Sequence, residues 1–240
     1  MKYVYTSNFG GYDSFLSGNV SSFEGLSFVY FHNNPSKFFS ENLSKHGWIG
    51  QYIDLEKQNA AVLNRSVKFH PWKYLPSNLT ESIYIDSNVT VISSPEVIFE
   101  EFSDVDVGFY RHWARETFIE EFLECARAGH FFLPFALNLL NYVAVDYKIT
   151  RLPECNLIYM KNNSLSKAFS MSWWTKYLQG PKRDQLHVKS ALAESNVTHF
   201  ISPVNEQRIR NLCFSTSGTH DGKQLKLKQR FIRQLNKAFL

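Results

Sequence analysis

The sequence has no long hydrophobic run, because no stretch approaches the roughly 20 apolar residues that a membrane-spanning helix requires. The first residues, MKYVYTSNFGGYD, lack the apolar segment of a secretory signal peptide, so we expect a protein made without one. Cysteine is scarce: Cys125, Cys155 and Cys213 form no CxxC pair, and an odd count argues against a disulfide framework. These absences predict a protein of a reducing compartment, located in the cytoplasm.

An excess of charge of one sign is also missing, because 26 Lys and Arg residues against 22 Asp and Glu residues leave a net charge of +4. That charge is too small to imply a nucleic-acid partner by itself. Apolar material is abundant, since 44% of the 240 residues are hydrophobic and 16% are aromatic. This composition predicts a single large domain with at most a small appendage.

Two hydrophobic patterns alternate along the chain. Short apolar or β-prone runs predict strands at residues 2–7, 26–32, 49–55, 82–91, 106–110 and 155–161. Amphipathic or proline-initiated stretches predict helices at residues 35–47, 58–66, 95–103, 114–129 and 164–179, and another that begins at Asp184. Alternating strands and helices are typical of an α/β domain with a mostly parallel central sheet flanked by helices. We predict this domain over residues 1–222.

A carboxylate interrupts the most strand-like segment, SIYIDSNVTV, at residues 82–91. Asp86 stands where the strand ends, and ligands of open α/β sheets bind beyond the carboxyl ends of the strands. Asp86 and Asn88 offer hard oxygen ligands of the kind that Mn²⁺ or Mg²⁺ prefers. The alternative is an ordinary β-turn closed by Asp, Ser and Asn side chains.

Five segments together resemble a known family. They are, in chain order, TSNFGGYDS (6–14), RSVKFHPWKYLP (65–76), SIYIDSN (82–88), RHWARETFIEEFLECARAGH (111–130) and SWWTKYLQGPKRDQLHVKSAL (172–192). Their order and content resemble the TOD1/MUCI70-type glycosyltransferase-like family of plants and its bacterial and viral relatives, over roughly residues 3–195. In that family SIYIDSN corresponds to the DxD motif of GT-A glycosyltransferases. Ser87 stands where the family has glycine, and Asn88 takes the place of a second acid.

The resemblance implies a GT-A-like, Rossmann-like fold and a glycosyltransferase that uses a nucleotide-sugar donor, most simply a UDP- or GDP-sugar. It implies a glycan, lipid-linked or protein acceptor, a Mn²⁺ or Mg²⁺ cofactor and no nucleic-acid partner. The donor-binding residues that it implies are Phe9, Gly10, Tyr12, Asp13, Arg65, Lys68, Asp86, Ser87, Asn88, Arg183 and Gln185. Without the resemblance, TSNFGGYDS predicts an ordinary Gly-Gly turn, and Arg65 and Lys68 predict a solvated basic face.

The metal ligands that the resemblance suggests are Asp86, Asn88 and, in the segment THDGK, His220, which otherwise reads as a surface loop residue. For the reaction itself, an inverting transferase needs one carboxylate as general base toward the acceptor hydroxyl. The resemblance points to Asp184 for this role, with Glu120 or Glu121 as the next candidates. A retaining mechanism would instead assign Asp184 to sugar binding, and as a residue type Asp184 is also a favoured helix N-cap.

The tail, residues 223–240, predicts a basic amphipathic helix with Leu227, Phe231 and Leu235 on one stripe and Arg230 and Arg233 on another. This pattern is typical of a helix that lies on an anionic membrane surface. A helix packed on the domain with a solvated basic face has the same pattern. Two other functions therefore stay open: a non-catalytic sugar- or nucleotide-binding module of the same fold, and a basic membrane or polyanion adaptor.

Overall fold

The computed structural model of the chain describes residues 1–11, 18–55, 59–142, 151–203, 213–216 and 227–240. The strands are β1 (Lys2–Asn8), β2 (Leu26–His32), β3 (Ile49–Tyr52), β4 (Glu81–Ile85), β5 (Val89–Val91), β6 (Val107–Arg111), β7 (Pro153–Lys161), β8 (His199–Ser202) and β9 (Phe214–Thr216). The helices are α1 (Lys37–Lys45), α2 (Ala60–Phe69), α3 (Pro71–Tyr74), α4 (Glu96–Glu101), α5 (Phe118–Arg127), α6 (Ser164–Gln179), α7 (Gln185–Glu194) and α8 (Leu227–Asn236), with a 3-10 helix at Leu133–Tyr142.

Seven strands form the central sheet in the order β3-β2-β1-β4-β7-β6-β8. The pairs β3–β2, β2–β1, β1–β4 and β6–β8 are parallel, whereas β7 is antiparallel to both of its neighbours, β4 and β6. Six strands therefore point the same way, and β7 begins at the edge where they end. Strands β5 and β9 form a separate antiparallel pair. The predicted α/β domain with a mostly parallel central sheet is confirmed.

Side chains alternate between the two faces of the sheet, and each face is covered. On one face Tyr5 packs with residues of α2, α6 and α7, such as Val67 and Trp173. On the other face Val4 packs with residues of α1 and α4, such as Leu43 and Phe99. Burial on both faces explains why these strands read as nearly continuous apolar runs. In the part of the chain that is described, no helix has the length and apolar character needed to cross a bilayer.

The main error of the sequence prediction for the helices concerns α5, which begins at Phe118 and not at residue 114. Thr117 is its N-cap and forms a capping box with Glu120, because each side chain accepts a hydrogen bond from the backbone of the other. The short strands β8 and β9 were not predicted, and neither was the 3-10 helix. The predicted tail helix is observed from Leu227, since residues 221–226 lie outside the described residues.

Candidate active site

The carboxyl end of β4 places Asp86 at the edge of the sheet. The backbone N–H of Asp86 donates to the carbonyl of Asn156 on β7 (2.9 Å), and its own carbonyl accepts from Val89 (2.9 Å). These bonds fix a tight turn between β4 and β5. The Asp86 side chain is 32% exposed, so its carboxylate faces outward from the sheet edge while Ile85 before it stays buried.

A buried lysine lies next to this carboxylate. Lys68, in the last turn of α2, has a side chain only 1% exposed, and its ammonium lies 5.0 Å from the centre of the Tyr84 ring. Its Nζ is 3.5 Å from Oδ1 of Asp86 and 2.6 Å from Oδ2 of Asp184. Burial lowers the pKa of Lys68, but the two carboxylates outweigh burial and leave that pKa raised. Lys68 is therefore a charged bridge between the two acids.

Asp184 is held at the N-terminus of α7 by several groups. It is the N-cap residue, its Oδ1 accepts from the N–H of Gln185 (3.3 Å), and its carbonyl accepts from the indole N–H of Trp173 (2.9 Å). Arg65 Nε lies 3.3 Å from its Oδ2, on the same oxygen that Lys68 contacts. Burial raises the pKa of Asp184, yet the cations Arg65 and Lys68 together hold it well below its usual range. Asp184 is thus a buried, ionised carboxylate between two cations.

A second ionic group adjoins the first through Arg183 and Gln185. Glu121, fully buried in the first turn of α5, lies 2.5 Å from Nε of Arg115 and 3.4 Å from Nη2 of Arg183. The same Nη2 of Arg183 donates to Oε1 of Gln185 (3.5 Å). The thiol of Cys125 donates to Glu121 (3.1 Å), and burial raises its pKa to about 12, so this cysteine is an unreactive thiol at neutral pH.

The sequence analysis missed Glu154. This residue is the second of β7, and its Oε1 accepts a hydrogen bond from Nε2 of Gln185 (3.3 Å), while Nε2 of His112 lies 3.6 Å from its Oε2. Burial raises the pKa of Glu154 to about 7, and the negative charge of Asp86 adds to this rise. A signal was available in LPECN, where a carboxylate enters an apolar strand. This signal points to the site only when β7 is known to be antiparallel, because its first residues then lie at the edge where the other strands end.

The predicted donor loop is described only in part. Phe9 is buried in the core, and its N–H donates to Oδ1 of Asn64 (3.3 Å). Gly10 donates its N–H to Oδ1 of Asn33 (2.9 Å) and has a φ of 77°, a left-handed conformation that favours glycine. The start of the loop after β1 is therefore tied to α2 and to the residue that follows β2, and a side chain at Gly10 would strain its backbone. Tyr12 and Asp13 lie outside the described residues, and so does His220.

The remaining predicted residues, Ser87, Asn88 and Glu120, differ in their exposure. Ser87 is buried in the turn after β4, and Asn88 is partly exposed beside it. Glu120 is exposed, and its carboxylate accepts from the backbone N–H groups of Glu116 (2.7 Å) and Thr117 (3.0 Å), which accounts for it as a helix cap. Among the residues that the structure describes, no group of three or more His, Cys, Asp or Glu side chains is arranged to hold a metal ion.

Comparisons with known proteins add information about the fold. No family model matches the chain, and no curated protein matches it. The chain is similar to the apo structure of WbbM, a bifunctional glycosyltransferase, with a TM-score of 0.54 and 10% identity over 83% of this chain and 38% of that one. It is also similar to the glycosyltransferase GlyE of Streptococcus pneumoniae TIGR4, with a TM-score of 0.50 and 10% identity over 84% and 45%. The fold is that of GT-A glycosyltransferases.

At these identities the similarity concerns the fold alone, and the chain spans less than half the length of either protein. The GT-A-like fold that the resemblance implied is confirmed. The narrower TOD1/MUCI70 family stays a prediction. Within the GT-A fold, the edge of the sheet at which the six co-directed strands end is also where the acidic and basic side chains described above meet.

Proposed function

We propose that this protein is a glycosyltransferase that moves a sugar from a nucleotide-sugar donor to a glycan, lipid-linked or protein acceptor. One observation carries the proposal: Arg65, Lys68, Asp86 and Asp184 are brought within ion-pair distance at the ligand-binding edge of a GT-A fold. Such buried charges are costly unless they are paired, and they concentrate at functional sites. The four residues come from three separated segments of the chain, so a local structural need does not explain them together.

The donor diphosphate would bind beside Arg65 and Asp86, the two partly exposed members of this group. Arg65 is partly exposed and always charged, so it suits phosphate oxygens. The side chains of Asp86 and Asn88 offer oxygen ligands on one turn, and Mn²⁺ or Mg²⁺ is commonly held by one or two carboxylates together with substrate phosphates. These two residues would hold the metal, with His220 as the third ligand that the sequence suggested. The metal, when bound, would stabilise the charge of the leaving diphosphate.

For Asp184 the sequence left two roles open, general base and sugar binding. Its lowered pKa makes its carboxylate a weak proton acceptor, which favours sugar binding. Glu154 is better suited than Asp184 to act as general base, because its pKa is about 7. It is hydrogen-bonded to Gln185, the residue that follows Asp184. In an inverting reaction we assign the proton of the acceptor hydroxyl to Glu154. In a retaining reaction Glu154 would orient the acceptor, and the anomeric configuration of the product separates the two.

The non-catalytic alternative also has an observation in its favour, namely Asn88 in place of a second acid. A binding module would hold the nucleotide sugar without releasing the nucleotide. A transferase would release it slowly even without an acceptor, by donor hydrolysis. Measurement of free nucleotide therefore separates the two functions once a donor is known.

The experiment is a thermal-shift panel of UDP-, GDP-, CMP- and dTDP-sugars, each with Mn²⁺ and with EDTA. A donor at a hundredfold excess over its Kd should stabilise the protein by roughly 2–3 kcal/mol. Asp86→Asn should remove the part of the shift that depends on the metal. The matched control is Asp104→Asn, since Asp104 is an exposed aspartate outside the site. No shift with any donor would contradict the proposal, and a shift that survives EDTA would remove the metal from it.

A further inference from the structure

The helix α8 packs on the domain in an unusual orientation. Among residues 228–240, whose side chains the structure describes, the fully buried one is polar: Asn236, whose Nδ2 donates to the carbonyls of Ala126 (2.7 Å) and Phe131 (2.9 Å). Its Oδ1 accepts from the N–H of Leu133 (2.9 Å). Gly129 allows close approach, because a Cβ there would come within 2.4 Å of the carbonyl oxygen of Gln229 on α8. Polar contacts and a close backbone approach therefore hold α8 in place.

Several large apolar side chains of α8 and the residues after it face solvent instead, while Ile232 is partly buried. Phe231 is 65% exposed, Leu235 is also exposed, and Phe239, four residues further on, is 58% exposed. An amphipathic helix of a globular protein normally turns its apolar stripe toward the core. Here the stripe is left outward although the helix is already docked, so packing against the described part of the chain does not explain it.

The apolar surface continues onto the 3-10 helix. Phe135, 87% exposed, contacts Phe132 with 5.3 Å between ring centres, and Phe132 contacts Phe239 at 5.8 Å. Leu137 is exposed on the same helix. Two segments that are distant in sequence thus meet through Phe132 and Phe239, and both expose apolar side chains. We call these exposed side chains the α8 surface: Phe135, Leu137, Phe231, Leu235 and Phe239.

Cations accompany this surface. Lys228, Arg230, Arg233 and Lys237 are all exposed, and residues 227–240 contain no Asp or Glu. A second copy of the chain would bring these four cations close to four others, so charge disfavours self-association through this face. An anionic lipid surface complements both features, because its headgroups attract the cations and its acyl boundary accepts the aromatic rings.

We propose that the α8 surface binds an anionic membrane surface, with Phe135, Phe231 and Phe239 entering the headgroup layer and the cations of α8 against lipid headgroups. The protein would then be peripheral, held by an interfacial helix. Of the two possibilities that the sequence left open for the tail, the outward apolar stripe favours the membrane.

The α8 surface is also close to the candidate active site through α5. Glu121 lies in the ionic group of that site, and Ala126, five residues later on the same helix, accepts the hydrogen bond from Asn236. Five residues of α-helix span about 7.5 Å. This consequence rests on the proposed function: a transferase bound in this way would hold its acceptor crevice near the bilayer, which favours a lipid-linked acceptor.

The test is sedimentation of the full-length protein with vesicles of phosphatidylcholine alone and with about one third phosphatidylglycerol. The wild type should bind the anionic vesicles and leave the neutral ones largely unbound. F231S/F239S should weaken the partition coefficient at least tenfold, since two exposed rings are lost. Phe38→Ser is the matched control, because Phe38 is 79% exposed on α1, and it should bind like the wild type. Replacing Lys228, Arg230 and Lys237 by Gln should weaken binding by about fivefold per cation at low salt.

Binding of F231S/F239S at the wild-type level, or equal binding to neutral vesicles, would overturn the proposal. A wild-type dimer in sedimentation velocity that F231S/F239S abolishes, without vesicle binding, would overturn it in favour of a protein interface. An unchanged melting temperature shows that F231S/F239S is folded. The outcome is independent of the proposed function, because vesicle binding requires no donor and the thermal-shift panel requires no vesicles.

Discussion

Lys68 is the residue whose removal tests the candidate site most directly. Its ammonium is buried at 2.6 Å from Asp184 and 3.5 Å from Asp86, so Lys68→Met would leave Asp184 buried with Arg65 as its nearest cation. Removing one partner of a buried ion pair costs about 3–5 kcal/mol. Because Arg65 stays 3.3 Å from the same oxygen of Asp184, we expect the lower end of this range, about 3 kcal/mol.

A double-mutant cycle with Asp184→Asn isolates the pair. Once Asp184 is neutral it no longer needs a cation, so Lys68→Met should cost less in that background, by about 2 kcal/mol. The assay is urea unfolding of the four proteins at pH 7, with comparison of the slopes to confirm that the unfolded states are similar. The matched control is Lys176–Glu194, a pair at 2.7 Å with Glu194 largely exposed, whose coupling should stay below about 1 kcal/mol. Additive effects of Lys68→Met and Asp184→Asn would refute the interpretation of Lys68 as the bridge.

Three further predictions concern single residues. Burial raises the pKa of Glu154 from 4.5 to about 7, so between these pH values the folded protein binds one proton more than the unfolded chain. Its free energy of unfolding should therefore fall by up to about 3 kcal/mol as the pH rises through this range. Glu154→Gln should flatten this dependence in urea titrations between pH 4 and pH 8. Thr117→Ala removes the side chain that caps α5 by accepting from the N–H of Glu120, and it should lower the unfolding free energy by about 1 kcal/mol, whereas Thr117→Ser should keep that free energy. Gly108→Ala places a Cβ 2.3 Å from the buried ring of Phe102 and should lower the free energy of unfolding by about 1–3 kcal/mol, which a wild-type melting temperature would contradict.

The strands from β1 to β7 and the position of Asp86 were predictable, because both depend on local patterns, whereas the short strands β8 and β9 were missed. A run such as LSFVYFH is apolar at every position but two, Ser27 and His32, which indicates burial on both faces of a sheet, and the structure has β2 there. A carboxylate directly after such a strand marks the sheet edge whatever the strand order is. These inferences need only the residues within one element.

The partners of the charged residues were not predictable in the same way. Lys68 read equally well as part of a solvated basic face, because nothing local shows that Asp184, 116 residues later, lies against it. Glu154 depends on topology: it reaches the site because β7 is inserted antiparallel between β4 and β6, which brings the start of β7 to the edge where its neighbours end. The same limit applies to α8, whose period predicts a helix while the face that is buried depends on Asn236 and its distant partners.

The charges of the site also bear on the metal. Arg65 and Lys68 are already matched by Asp86 and Asp184, so this group of four is close to neutral before any donor binds. A donor diphosphate would add further negative charge beside Asp86, and a buried excess of charge is costly. A divalent cation on Asp86 would restore the balance, whereas Lys68, already committed to Asp184, has little left to offer the phosphates. Charge balance at this edge of the sheet thus favours metal-dependent donor binding, and it does so independently of the resemblance to any family.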